Sequence, residues 1–165
     1  MWYIFIPDME SISAQKLLVR IRELDLTLIT PENIASAFDI KNRNTVNKLL
    51  QRFFKKSYVY RLDKGKYILK DKVISEFTLA NLINSNSYIS FESALSYYGI
   101  LPQFTYSITS ATTSKSRSLK VQNQLYEYVS VNPNLFWGFN KDRDFLIATP
   151  EKALLDTLYI SSRGI

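Results

Sequence analysis

The side chains best equipped for chemistry lie close together between Asn42 and Lys56, in the run NRNTVNKLLQRFFKK. Side-chain amides pair bidentately with adenine and guanidinium groups with guanine. Arg43, Asn44, Thr45, Asn47, Lys48, Gln51 and Arg52 therefore offer the donors and acceptors that read base edges. Val46, Leu49, Leu50 and Phe53 recur at steps of three, one and three, the apolar stripe of a helix whose opposite face is basic and amide-rich. Taken alone, the stretch reads first as an ordinary amphipathic helix with a wet face.

A second grouping, Asp142, Asp144, Glu151 and Lys152, has the residue types of a metal-dependent nuclease. Its spacing argues against one. Such sites place one residue between the second acid and the lysine on a strand, whereas Glu151 and Lys152 are adjacent just after Thr149-Pro150, where a helix start explains them. The chain has no histidine and no cysteine. Ser-His and Cys-His pairs, thiolate metal sites and nearly every zinc site are thereby excluded. No metal, no cofactor and no enzymatic activity are expected, and the lack of cysteine fits a cytoplasmic location.

Charge is concentrated near the first group. Lys41 to Lys72 holds eleven of the 21 Lys and Arg residues and only Asp63 and Asp71 of the 15 acids, a local balance of +9 within a net charge of +6. The remainder of the chain is slightly acidic. Segregation of this kind suits a phosphate-facing surface better than charge spread for solubility.

The elements that must position these residues follow from caps and period. Ser13 can cap a first helix with Leu17, Leu18, Ile21 and Leu24 on one face. Thr30-Pro31-Glu32-Asn33 combines a cap, an N1 proline and a first-turn acid, starting a second helix that buries Ile34, Ala35, Ala37 and Phe38. Asn42 caps the third. The period then changes: Tyr58, Tyr60 and Leu62 alternate with Val59 and Arg61, Asp63-Lys64-Gly65-Lys66 supplies turn chemistry, and Tyr67 to Leu69 returns as a strand. Three helices and a basic hairpin form the order of a winged helix-turn-helix, expected over residues 1–72. In it the third helix would enter the major groove, while Lys55, Lys56, Arg61, Lys64 and Lys66 would contact phosphate or the minor groove. Phe53 and Phe54 are expected in the core, and Tyr58, Tyr60 and Tyr67 in cross-strand packing.

Residues 73–165 are expected to form a small mixed α/β domain, making the whole chain α+β. Val73, Ile74 and Phe77 to Ile83 suggest a connecting helix, broken by Asn84 to Ser87. A helix capped by Ser90 and stopped by Gly99 follows. Strands are expected at Phe104 to Ala111, Ser118 to Val121, Leu125 to Val131 and Phe145 to Ala148, then a helix from Thr149. The hydroxyl-rich basic turn TTSKSRS, Thr112 to Ser118, reads first as an exposed hairpin loop, and otherwise as a turn that holds phosphate or is modified. The apolar run Trp2 to Ile6 is too short, and too poor in preceding basic residues, to be a signal peptide. No other run reaches membrane-spanning length.

The runs YISFESALSYYGILPQFTYSITSATT, YEYVSVNPNLFWGF and FLIATPEKALLDTLY resemble the core of the AbiEi-family antitoxins of type IV toxin-antitoxin systems. The resemblance covers roughly Lys41 to Tyr159, and ATPEKALLD and SYISFESALSYYG are its most specific parts. It implies an N-terminal domain that represses the protein's own operon, and a C-terminal domain that opposes a neighbouring nucleotidyltransferase toxin without forming a stable complex with it. By position, the winged-helix residues named above inherit the DNA role, and Lys115, Arg117 and Lys120 are the candidate antitoxin surface. The DNA partner would be the protein's own promoter, with inverted repeats implying two copies bound as a symmetric pair. A DNA-binding regulator with no toxin partner is the alternative reading, and a DNA-processing enzyme a distant third. The chain ends at YISSRGI, where members of the family usually continue with further helices, so the second domain reads as a short form. MWYIFIPD has no counterpart in the family and reads as a peripheral strand or an apolar self-association patch.

Overall fold

The computed structural model describes residues 13–102 and 106–162. The expectations for MWYIFIPD and Phe104 fall outside the described residues. The chain is mixed α+β, with six α-helices and two sheets among the described residues. It divides into two compact units, one up to Lys72 and one from Val73. No helix among the described residues is long and apolar enough to cross a membrane.

The first unit holds helices α1 (Ala14–Glu23), α2 (Pro31–Ala37) and α3 (Arg43–Lys55), then strands β1 (Val59–Asp63) and β2 (Lys66–Leu69). Each helix begins at the residue its cap chemistry selects. Ser13 accepts from the Lys16 amide at 3.2 Å, and Asn42 from the Asn44 amide at 2.9 Å. Thr30 and Asn33 exchange bonds reciprocally, Thr30 Oγ1 accepting at 3.3 Å and Asn33 Oδ1 at 2.8 Å. Leu17, Ile21, Ile34, Val46, Leu49, Leu50 and Phe53 meet Val59, Tyr67 and Leu69 in one core. Ile29 exchanges backbone hydrogen bonds with Tyr67 at 2.8 and 2.9 Å, bringing the loop before α2 alongside β2. Arg22 pairs with Asp71, and Lys72 Nζ donates to Asp25 at 3.0 Å and Thr27 at 2.8 Å, so the exit of the hairpin is held to the α1 end.

Two expectations for this unit are corrected. Phe54 is 47% exposed, because it falls on the helix flank beyond the stripe that buries Phe53. In β1, Val59 and Leu62 are buried while Tyr60, and Tyr58 just before the strand, are exposed: the register shifts between Arg61 and Asp63, breaking the alternation that would place Tyr58, Tyr60 and Leu62 on one face. Tyr58 packs instead on Phe53, ring centroids 5.2 Å apart.

The second unit is a six-stranded sheet in the order β5-β6-β4-β3-β8-β7, with β3 (Ser87–Ile89), β4 (Ser107–Thr112), β5 (Arg117–Val121), β6 (Gln124–Ser130), β7 (Phe139–Asp142) and β8 (Phe145–Ala148). β4 runs parallel to β6 and β3 parallel to β8, and the other pairs are antiparallel. Helix α4 (Glu76–Ile83) covers one face, where the Tyr128 hydroxyl donates to the Ala80 carbonyl at 2.7 Å. Helices α5 (Phe91–Tyr97) and α6 (Pro150–Ser162) cover the other, where Ser93 and Thr109 exchange hydrogen bonds and Tyr88 reaches Asp156.

Here too the structure differs from expectation. The connecting helix starts later, at Glu76 with Ser75 as its cap, and Val73 is fully exposed. Ser87 belongs to the buried strand β3 rather than to a loop, and β7 is a strand that the sequence reading omits. Ser90 stands at the cap position of α5, but its hydroxyl is bonded to Asp156 and not to the helix.

Candidate nucleic-acid interface

Four segments of the first unit enclose a groove of about 640 Å³: the start of α2, one flank of α3, β1 with the hairpin turn, and the start of β2. Arg43, Asn47, Gln51 and Phe54 step by four, four and three along α3, which places them on one helical flank facing the groove. Arg61, Lys64 and Lys66 supply the opposite wall, with Tyr67 at the base beside Phe54, ring centroids 6.4 Å apart.

Local chemistry holds the walls in place. Asn33 Nδ2 donates to the Leu28 carbonyl at 2.6 Å, adding to the capping box that fixes the first turn of α2. The hairpin turn is set by Asp63 Oδ1, which accepts from the Lys64 amide at 2.7 Å, and by Gly65 at φ +72°. A side chain at Gly65 would stand 3.6 Å from the Pro31 ring, so the turn lies directly against the start of α2. Arg61 Nε donates to the Asp63 carbonyl at 3.3 Å.

Of the residues predicted to contact DNA, the groove gathers Arg43, Asn47, Gln51, Arg61, Lys64 and Lys66. Asn44, Thr45, Lys48, Arg52 and Lys55 lie elsewhere on α3. All of these are exposed except Thr45, which is half-buried. Sequence reasoning missed two exposed groove residues. Phe54 was legible from its spacing to Arg43 and Asn47. Glu32, whose Oε1 accepts from Arg43 Nη2 at 3.0 Å, carried no local signal, because its partner lies eleven positions further along the chain.

The candidate surface of the second unit is dispersed. Arg117 stands opposite Tyr128 and Lys120 opposite Leu125, so strand alternation sends them to opposite faces of the sheet. The Arg117 guanidinium lies 5.5 Å from the Tyr128 ring centre, and Lys115 is exposed in the loop before β5.

Lys152 and Asp156, both from the run ATPEKALLD, face inward. They are 3% and 1% exposed and form an ion pair at 2.5 Å. The other Asp156 oxygen accepts from the Tyr88 hydroxyl at 2.9 Å and from Ser90 at 2.7 Å. Burial, then the Asp156 charge and hydrogen bond, push the Tyr88 phenol well above its ordinary range. The Lys152 ammonium sits 4.9 Å from the Trp137 ring centre, and Gly138, at φ +75°, lies against its stem. The two most specific runs of the family resemblance thus meet in one buried polar network. Lys152 is thereby committed to Asp156, Asp142 accepts instead from the Tyr97 hydroxyl at 2.5 Å, and Glu151 is exposed. No group of three or more acidic side chains placed to hold a metal occurs among the described residues.

No protein-family model matches the chain, and no curated protein matches it.

Proposed function

We propose that the first unit is a winged helix-turn-helix domain binding double-stranded DNA, and that the chain is a cytoplasmic transcriptional autorepressor and antitoxin of a type IV toxin-antitoxin system. The observation that carries the DNA reading is the groove. Guanidinium, amide and ammonium groups from α3 and the hairpin converge on one concave surface, within the segment that holds all the excess positive charge. The amide and guanidinium groups of α3 read bases, and Arg61, Lys64 and Lys66 engage phosphate. The antitoxin role rests on the family resemblance, with a nucleotidyltransferase toxin as functional partner.

The test is a fluorescence-anisotropy titration against the protein's own promoter and a scrambled duplex across a salt series. Preference for the promoter, weakening steeply with salt, is expected. Arg43→Ala is expected to lose about 1 to 3 kcal/mol on the promoter, and Lys64→Ala to weaken both duplexes alike. Binding to neither duplex would overturn the DNA reading. Co-expression with a neighbouring nucleotidyltransferase tests the second role, with rescue of growth expected. The opposed directions of Arg117 and Lys120 favour a second reading, a DNA-binding regulator without a toxin partner, for which co-expression gives no rescue.

A further inference from the structure

Glu32 is the one carboxylate among the described residues lining the groove, whose other charged side chains are Arg43, Arg61, Lys64 and Lys66. The capping box of α2 fixes its backbone, and it reaches across to the first residue of α3, with Oε1 3.0 Å from Arg43 Nη2. The two side chains are 66% and 76% exposed, so the pair adds little to the stability of the fold. Its effect falls on whatever enters the groove. A carboxylate there repels every phosphate, on any sequence. A guanidinium has five N–H donors, and guanine O6 and N7 use two of them. Arg43 therefore has donors to spare while paired to Glu32, but a phosphate brought to it stands beside the Glu32 carboxylate and is repelled, whereas a neutral guanine is not.

We propose that Glu32 is a specificity-determining positioning residue, holding Arg43 for base reading and penalising its use as a non-specific phosphate contact. This rests on the DNA reading above. Selectivity then comes from weakened binding to wrong sequences as well as from contacts to the right one.

The test uses the full chain. The tightest duplex is selected from a randomised library with the unaltered protein, and it and a scrambled duplex are titrated across a salt series. Glu32→Gln is expected to bind the scrambled duplex severalfold tighter, its slope of log K against log salt steeper by about 0.9, the signature of one added phosphate contact. The selected duplex gains less, so the ratio of the two affinities falls. Glu32→Asp keeps the charge but shortens its reach, and is expected to lose part of the ratio. In an Arg43→Ala background Glu32→Gln is expected to leave the ratio unchanged. An unchanged ratio for Glu32→Gln alone would overturn the proposal and leave DNA binding standing. An equal fall of the ratio in the Arg43→Ala background would also overturn it, since Arg43 would not be the intermediary. If the unaltered protein binds no duplex, the DNA reading itself fails, and this proposal with it.

Discussion

Asp156→Ala removes the one acceptor shared by three buried donors. Lys152 Nζ, 2.5 Å away, is left as a buried ammonium beside the rings of Trp137 and Tyr88, and the Tyr88 and Ser90 hydroxyls lose their acceptor at 2.9 and 2.7 Å. Breaking a buried ion pair from one side costs about 3 to 5 kcal/mol, and each orphaned buried hydroxyl about 1 to 3 kcal/mol. The three losses share one acceptor and do not add fully, so a loss of about 4 to 6 kcal/mol is expected, comparable to the whole stability of a small domain. Urea unfolding followed by Trp137 fluorescence, in a Trp2→Phe background so that the second unit alone is reported, measures it. The double variant Lys152→Met with Asp156→Asn removes both charges and keeps an amide oxygen for one hydroxyl. It is expected to stay within about 2 kcal/mol of the unaltered protein, since replacing a buried pair as a whole is often nearly neutral. An Asp156→Ala protein within about 1 kcal/mol of the original, or a double variant as unstable as the single one, would refute the assignment of a buried, mutually dependent network.

Gly138→Ala is expected to lose about 2 to 3 kcal/mol, because φ is +75° and the new methyl would stand 3.0 Å from Lys152 Cγ. Gly99→Ala, at φ +71° with open space around it, should cost only the conformational part, about 1 kcal/mol, and paired urea curves separate the two. Thr30→Ala removes one half of the α2 capping box and is expected to cost about 1 kcal/mol, read as a lowered thermal midpoint for the first unit. Burial, then the Glu76 carboxylate, push the Tyr126 phenol up to about 12 from an ordinary 10.0. A folded-state value above the unfolded one means that this contribution to stability is whole below about pH 10 and lost as the pH climbs toward 12. Tyrosinate absorbance and circular dichroism recorded together are expected to show a fraction of tyrosines ionising only as the fold opens. Ionisation of all eleven near pH 10 with the fold intact would contradict this.

The three helices of the first unit were legible because Ser13, Thr30 and Asn42 each cap the turn they precede, a local interaction that needs no tertiary context. The order of elements and the candidate α3 residues followed from the same signals. Pairings across the groove were not legible: the contact of Glu32 with Arg43 exists only once α2 and α3 are packed. In the second unit, Ser87–Ile89 is three residues long and buried on both sides of the sheet, so it shows no alternation to read, and β7 is short and polar as an edge strand can be. Ser90 misled for a physical reason: a hydroxyl at a cap position satisfies the helix only when nothing stronger competes, and here a buried carboxylate does. Hydropathy also misjudges α6, which turns Lys152 and Asp156 inward and leaves Leu154, Leu155 and Leu158 exposed.

The position of β3 in its sheet sets an order of events during synthesis. Among the described residues, the buried core of the first unit lies between Leu17 and Leu69, so that unit can close on the ribosome as soon as its hairpin has emerged. The second unit cannot. Its central strand waits for a neighbour at Phe145–Ala148, and the hydroxyls of Tyr88 and Ser90 for a carboxylate at Asp156, more than sixty residues downstream. The nascent protein therefore passes through an interval in which the basic groove already exists while the second unit is still an unfinished sheet, with its buried donors facing water.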